Sequence, residues 1–181
     1  MIAVRLNTVD MAWANDVGAA RWRRVKREHR KAKFAGADEK KHLQGARGEL
    51  AFCRAMGLIW PASDGTFQSE PDVWPNWEIR TSPSMQGVKV VDTDPDHRLV
   101  VWVAGGDAPY FEVKGYIRAG GAKRHRDWYD DPGKRNRPIW LVPPSRMIPI
   151  EPGFHRDGHA YAINEETGLW GCAFCPIVVD V

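Results

Sequence analysis

Cysteine is scarce in this chain. Three in 181 residues are too few for a disulfide framework and fit a reducing compartment. Long apolar runs are missing as well. The longest, Leu99 to Ala104, falls well short of the ~18 residues that would suggest a membrane-spanning helix. The opening Met-Ile-Ala-Val-Arg lacks the apolar region of a secretory signal, so a cytoplasmic protein with no membrane partner is expected. There is no internal repeat and no low-complexity tract. Gly105-Gly106 is not followed by the Gly-Lys-Ser/Thr of a phosphate-cradling loop and reads as part of a hairpin connection.

What the chain has is charge, in an uneven distribution. The net charge of +3 conceals a segregation. Residues 1–47 carry twelve basic and five acidic side chains, and residues 48–113 carry four and ten. Residues 114–137 carry eight and three, and residues 138–181 carry two and five. An acidic middle between basic flanks suits a metal-holding pocket bordered by phosphate-binding surfaces. Nine tryptophans exceed what one small core needs and point to exposed stacking or interface platforms.

The patterning predicts an α/β fold: a mixed sheet flanked by helices, one domain in size. A helix is expected over residues 10–33, with Asp10 as N-cap. Its stretch Arg21 to Lys33 carries eight positive charges and one negative. Trp22, Val25 and His29 form a packing stripe that leaves Arg23, Arg24, Arg27 and Lys31 outward, to contact nucleic-acid phosphates or simply to be solvated. A second helix is expected over 38–56, stopped by Gly57. Strands are expected over 77–81, 98–103, 110–117 and 138–142, all in one sheet, with a short helix over 119–129. Three segments result: a basic helical stretch over 1–36, an α/β core over 37–150, and a C-terminal extension over 151–181 packed on the core.

Glu49 sits on the second helix among Gly45, Ala46, Phe52, Cys53 and Met56, which share its face. A carboxylate in such a stripe is costly unless it pairs with a cation, either an arginine or a metal ion. Further on, Pro71-Asp72 precedes a turn, and Glu78-Ile79-Arg80 opens a strand. Glu78 and Arg80 are two apart and face one side. Three carboxylates and a cation converging on a sheet edge can hold a hard divalent ion through oxygen, Mg²⁺ or Mn²⁺ rather than zinc. Such an ion activates water and neutralises charge on a phosphate.

These pieces, in this order, resemble the PD-(D/E)xK nuclease superfamily, and more closely small phage and bacterial proteins with that nuclease-like core. The matching segments are Gly45 to Glu49, Pro71-Asp72, Glu78 to Arg80, Leu99 to Val103, the stretch from Ala108 through Arg118, Ala122-Lys123, Trp128, and Arg137 to Pro143. The resemblance implies a restriction-endonuclease-like core and Mg²⁺-dependent (or Mn²⁺-dependent) hydrolysis of DNA. It implies a metal site of Asp72, Glu78 and the backbone carbonyl of Ile79, with Glu49 contributing directly or through water. Arg80 stands where the superfamily has lysine. An arginine stays protonated and cannot act as a base, but it can orient water or stabilise the phosphate. Asp107, Glu112 and Lys114 form a rival set with the lysine intact.

The phosphate-contacting positions expected are Arg23, Arg24, Arg27, Lys31, Lys123 and Arg124. The partner expected is DNA, with a homodimer left open. A non-catalytic nucleic-acid-binding module on the same scaffold, serving recombination or counter-defence, is the second reading. A zinc-stabilised interaction domain is the third. Cys172, Cys175, His155 and His159 have zinc-ligand types and spacings, but they also read as buried thiols and loop histidines, and no zinc is expected there.

Overall fold

The computed structural model describes residues 1–28, 39–64, 70–82, 87–105, 109–130 and 138–150, together with the backbone of 161–163 and 170–172. The chain opens with strand β1 (Ile2–Arg5), then helices α1 (Thr8–Glu28) and α2 (Glu39–Met56). Strands β2 (Trp77–Ser82), β3 (Val88–Val91), β4 (Leu99–Gly105) and β5 (Tyr110–Arg118) follow. Then come the short helix α3 (Ala119–Lys123) and strands β6 (Tyr129–Asp130), β7 (Ile139–Val142), β8 (Tyr161–Ile163) and β9 (Trp170–Cys172).

β1, β5, β4 and β2 form a mixed four-stranded sheet in that order, with β2 at one end. β2 runs parallel to β4, while β4–β5 and β5–β1 are antiparallel. β3, β7 and β6 form a second, antiparallel sheet. The expectation that 138–142 joins the main sheet is therefore corrected: β7 pairs with β3, a strand that the turn-rich pattern around it hid. Both faces of β4 are covered, which is why it reads as a continuous apolar run. Val101 and Val103 pack with Phe52, Trp77 and Ile79 beneath the helices. Val100 and Trp102 pack with Val88, Val90, Trp128 and Val142 on the opposite side.

The N-terminal segment is built into this core. β1 adds the outer strand beside β5, and Leu6, Ala14 and Val17 are buried with Leu50 and Phe52 of α2. α1 starts at Thr8, with Asn7 as its cap instead of Asp10. The Asp10 N–H donates to Asn7 Oδ1 at 2.8 Å, and the Asn7 N–H reaches back to Asp10 Oδ2 at 3.4 Å, a reciprocal capping box. Asp10 also accepts from Arg54 of α2 at 2.6 Å, which locks the start of one helix to the end of the other. α2 stops as its sequence predicts. Gly57 takes a left-handed φ of 66°, and the Leu58 N–H caps the Cys53 carbonyl at 2.9 Å. The expected helix over 119–129 is cut short at Lys123 and gives way to a 3₁₀ turn over Arg126–Trp128. No helix among the described residues is long and apolar enough to cross a membrane.

Candidate active site

A cavity of about 460 Å³ opens beside β2, lined from α2 by Lys41, His42, Gly45 and Glu49 and from the sheet side by Asp72, Glu78, Ile79, Arg80 and Asp94. Four of the expected site side chains, and Ile79 with them, thus face one space. Close packing of α2 on β2 brings them together. An ideal Cβ on Gly48 would stand 1.7 Å from Thr81 Oγ1, so only a glycine lets the helix approach this closely. A Cβ on Gly45 would meet nothing within 4 Å; that position leaves the cavity open.

Glu49 is buried, and arginine is its partner. Arg21 donates Nη1 to Oε1 at 2.5 Å and Nη2 to Oε2 at 2.7 Å, and Trp60 Nε1 adds a third bond to Oε2 at 3.2 Å. The third arm of the fork, Arg21 Nε, binds the Ser63 carbonyl at 2.8 Å. Burial opposes the charge on Arg21. The bond and charge of Glu49, with Asp72 and Asp64 beyond, outweigh it and raise its pKa. Arg21, which opens the basic stretch read from sequence, is 8% exposed. Of the two partners open to Glu49 in sequence, an arginine or an ion, the fold supplies the arginine.

β2 divides its side chains by alternation. Trp77 and Ile79 go under the helices, while Glu78 and Arg80 face the other way. Arg80 Nη2 bridges Glu78 Oε1 at 2.9 Å and Asp94 Oδ1 at 2.8 Å, and Arg98 Nη1 reaches Glu78 Oε2 at 3.4 Å. Asp94 was not singled out from sequence; the acid-rich run Asp92-Thr93-Asp94-Pro95-Asp96 is the only trace it leaves there. It is 6% exposed, and its Oδ2 accepts from the Val91 N–H at 2.8 Å. Lys123 holds this loop through the carbonyls of Asp92 and Asp94 and the Asp96 carboxylate, at 3.0, 2.5 and 3.0 Å.

Asp72 lies at the outer edge of β2, where its Oδ2 accepts the Ile79 N–H at 2.8 Å. A strand residue turns its N–H and C=O the same way, so the Ile79 carbonyl faces that edge too. Burial first, then the charges of Glu49 and Glu78, push the Asp72 carboxyl up to about 8. The Ile79 N–H and Arg80 offset this in part. Burial also raises Glu78, against the pull of Arg80. His42 is held below its ordinary value by burial and by the nearby Arg21.

Among the described residues, no three His, Cys, Asp or Glu side chains form a ready ligand set for one ion. The arginines explain this: Arg21 occupies Glu49, and Arg80 stands between Glu78 and Asp94. Asp72 has no ion-pair partner among the described residues. With Glu78 and the Ile79 carbonyl it offers the hard oxygens that Mg²⁺ or Mn²⁺ prefers; Glu49 is already satisfied.

The other expected positions lie elsewhere. Glu112 and Lys114 of the rival set form an ion pair on β5, opposite β1 and away from the cavity; Asp107 lies outside the described residues. Arg23, Arg27 and Arg124 are exposed. Arg24 is half-buried and 3.9 Å from Asp64. His29, Lys31, His155, His159 and Cys175 lie outside the described residues, as does the side chain of Cys172. No protein-family model, curated protein or solved structure matches the chain.

Proposed function

We propose that the chain is a divalent-metal-dependent nuclease acting on DNA, with its centre at Asp72, Glu78 and the Ile79 carbonyl. The observation that carries this reading is Asp72. Burial beside Glu49 and Glu78 raises its pKa to about 8, and a cation at this edge would let it ionise. A bound Mg²⁺ or Mn²⁺ would supply an activated water and charge neutralisation at the scissile phosphate. Asp72 and Glu78 would hold that ion. Arg80, fixed by Glu78 and Asp94, would meet the negative charge that builds on the phosphate, because a guanidinium cannot take the water's proton. Lys41 and His42, on the α2 wall, face the same space from the opposite side.

The test is cleavage of labelled single- and double-stranded DNA with Mg²⁺ or Mn²⁺. Asp72→Asn and Glu78→Gln are expected to lower the rate by at least about 10²-fold, the scale of removing a key charge-stabilising group. Arg80→Lys is expected to retain activity and Glu112→Gln to leave it intact. Loss with Glu112→Gln and not with Glu78→Gln would move the centre to the rival set.

The ion pairs Arg21–Glu49 and Arg80–Glu78–Asp94 favour a second reading, a nucleic-acid-binding module without turnover. Binding of DNA by wild type with no cleavage under either metal would establish it over the first.

A further inference from the structure

Among the described residues Arg80 is held through Nη2, which bridges Glu78 Oε1 at 2.9 Å and Asp94 Oδ1 at 2.8 Å. Its Nε is buried and meets no acceptor there. The direction of the guanidinium therefore depends on where those two carboxylates stand. Glu78 is placed by β2 itself, two residues before Arg80. Asp94 comes from the β3–β4 connection, which lacks the ladder bonds of a strand.

That connection is held in three ways. Asp94 closes a turn on Val91: its N–H donates to the Val91 carbonyl at 3.1 Å, and its Oδ2 accepts the Val91 N–H at 2.8 Å. The start of α3 docks against Asp96. The Gly120 N–H donates to the Asp96 carbonyl at 2.9 Å, and a Cβ on Gly120 would stand 2.9 Å from the Asp96 Cβ. Lys123 spans the rest, donating to the Asp92 and Asp94 carbonyls at 3.0 and 2.5 Å and to Asp96 Oδ1 at 3.0 Å. An ammonium has three N–H donors. All three are spent inside the protein, and the side chain is 19% exposed.

We propose that Lys123 is a positioning residue for Arg80 and not one of the phosphate contacts. It clamps the loop that carries Asp94, and Asp94 aims the guanidinium. Lys123 does not line the cavity; Asp94 and Arg80 do, and it acts through them. This proposal rests on the nuclease reading of the same cavity. A charged donor displaced by about 1 Å from its productive place can cost about 10²-fold in rate, so a loop that drifts would be felt at the scissile phosphate.

The experiment is steady-state cleavage of labelled DNA with Mg²⁺, together with duplex binding in EDTA across salt concentrations. Lys123→Met keeps the stem and removes the three donors. It is expected to lower kcat about tenfold and to leave both KM and the salt slope of binding unchanged. A lost phosphate contact would instead raise KM and flatten that slope by about 0.9. Asp94→Asn is expected to lower kcat at least as far. Adding Lys123→Met to it should cost nothing more, because both act through Arg80. Asp96→Ala, at a side chain 79% exposed, removes one arm of the clamp. It should give a smaller loss of the same kind at the wild-type melting temperature, and it carries the test if Lys123→Met melts early. A flatter salt slope, full activity, or losses that multiply in the double variant overturn the positioning role and leave the nuclease reading standing. Wild type that cleaves no DNA with Mg²⁺ or Mn²⁺ overturns both.

Discussion

At the scale of single residues, Asp72 makes stability depend on pH in a direction opposite to most carboxylates. Its pKa is about 8 folded, against 3.8 for the free side chain. Below about pH 4 both states are protonated and it contributes nothing. Between these values the unfolded chain releases the proton and the folded chain keeps it, so stability falls as pH rises, levelling off above about 8. Asp72→Asn removes this dependence. Its melting temperature should equal that of wild type near pH 4 and exceed it by several degrees at pH 8. Mg²⁺ binding only to the folded state should raise the wild-type melting temperature at pH 8 and leave Asp72→Asn nearly unmoved. Thermal melts across pH, with and without Mg²⁺, check both; an Asn variant less stable than wild type at pH 8 would show that the carboxylate is compensated. Glu49 makes the contrasting case. It carries a bidentate arginine and an indole N–H, so it is a strut between α1, α2 and the 58–64 segment.

At the scale of elements, the site depends on how α2 crosses β2, and two glycines one turn apart do different work. Gly48 faces Thr81, and Gly45 faces open cavity. Gly48→Ala should cost about 1–3 kcal/mol, the usual penalty for overpacking, and Thr81→Gly in the same chain should relieve part of it. Gly45→Leu should fold as well as wild type or better, since a mid-helix glycine is worth about 1 kcal/mol less than a good helix former. The new side chain would enter the cavity, so Mg²⁺-dependent cleavage should fall sharply while the melting temperature holds. Denaturant melts and a cleavage assay on the same preparations separate the two effects. A stable Gly45→Leu with full activity would mean that the chemistry takes place outside this cavity.

At the scale of the whole molecule, the charge segregation resolves into an inner and an outer set of cations. Arg21, Arg80 and Arg98 pair with the acids of the middle segment. Arg23 and Arg27 stay on the surface of α1. Replacing Arg23 and Arg27 with alanine should leave the fold intact and weaken DNA binding alike for all sequences. The salt slope should become shallower by up to about 2, since each phosphate that an arginine neutralises on duplex DNA adds roughly 0.9 to it. An unchanged salt slope would make the α1 surface a solvated face and nothing more.

The local determinants of this fold lie in the sequence by themselves. The apolar periodicity places α2, β2, β4 and β5. The Gly57 stop and the alternation of Glu78 and Arg80 follow from backbone geometry that any chain obeys. The gathering of Glu49, Asp72, Glu78 and Arg80 into one neighbourhood was legible in part, because a buried acid on a helix and acids at a strand start have few places to go. Tertiary structure decided which cation each acid meets. Arg21 lies four residues before Val25 and so on the packing side of α1, but nothing local names its partner; the crossing of α1 over α2 brings it to Glu49. Nor could sequence show that β7 leaves the main sheet for β3, or that the β3–β4 connection returns Asp94 to Arg80. Those pairings join residues far apart in the chain, and burial on both sides of β4, rather than any local pattern, selects them.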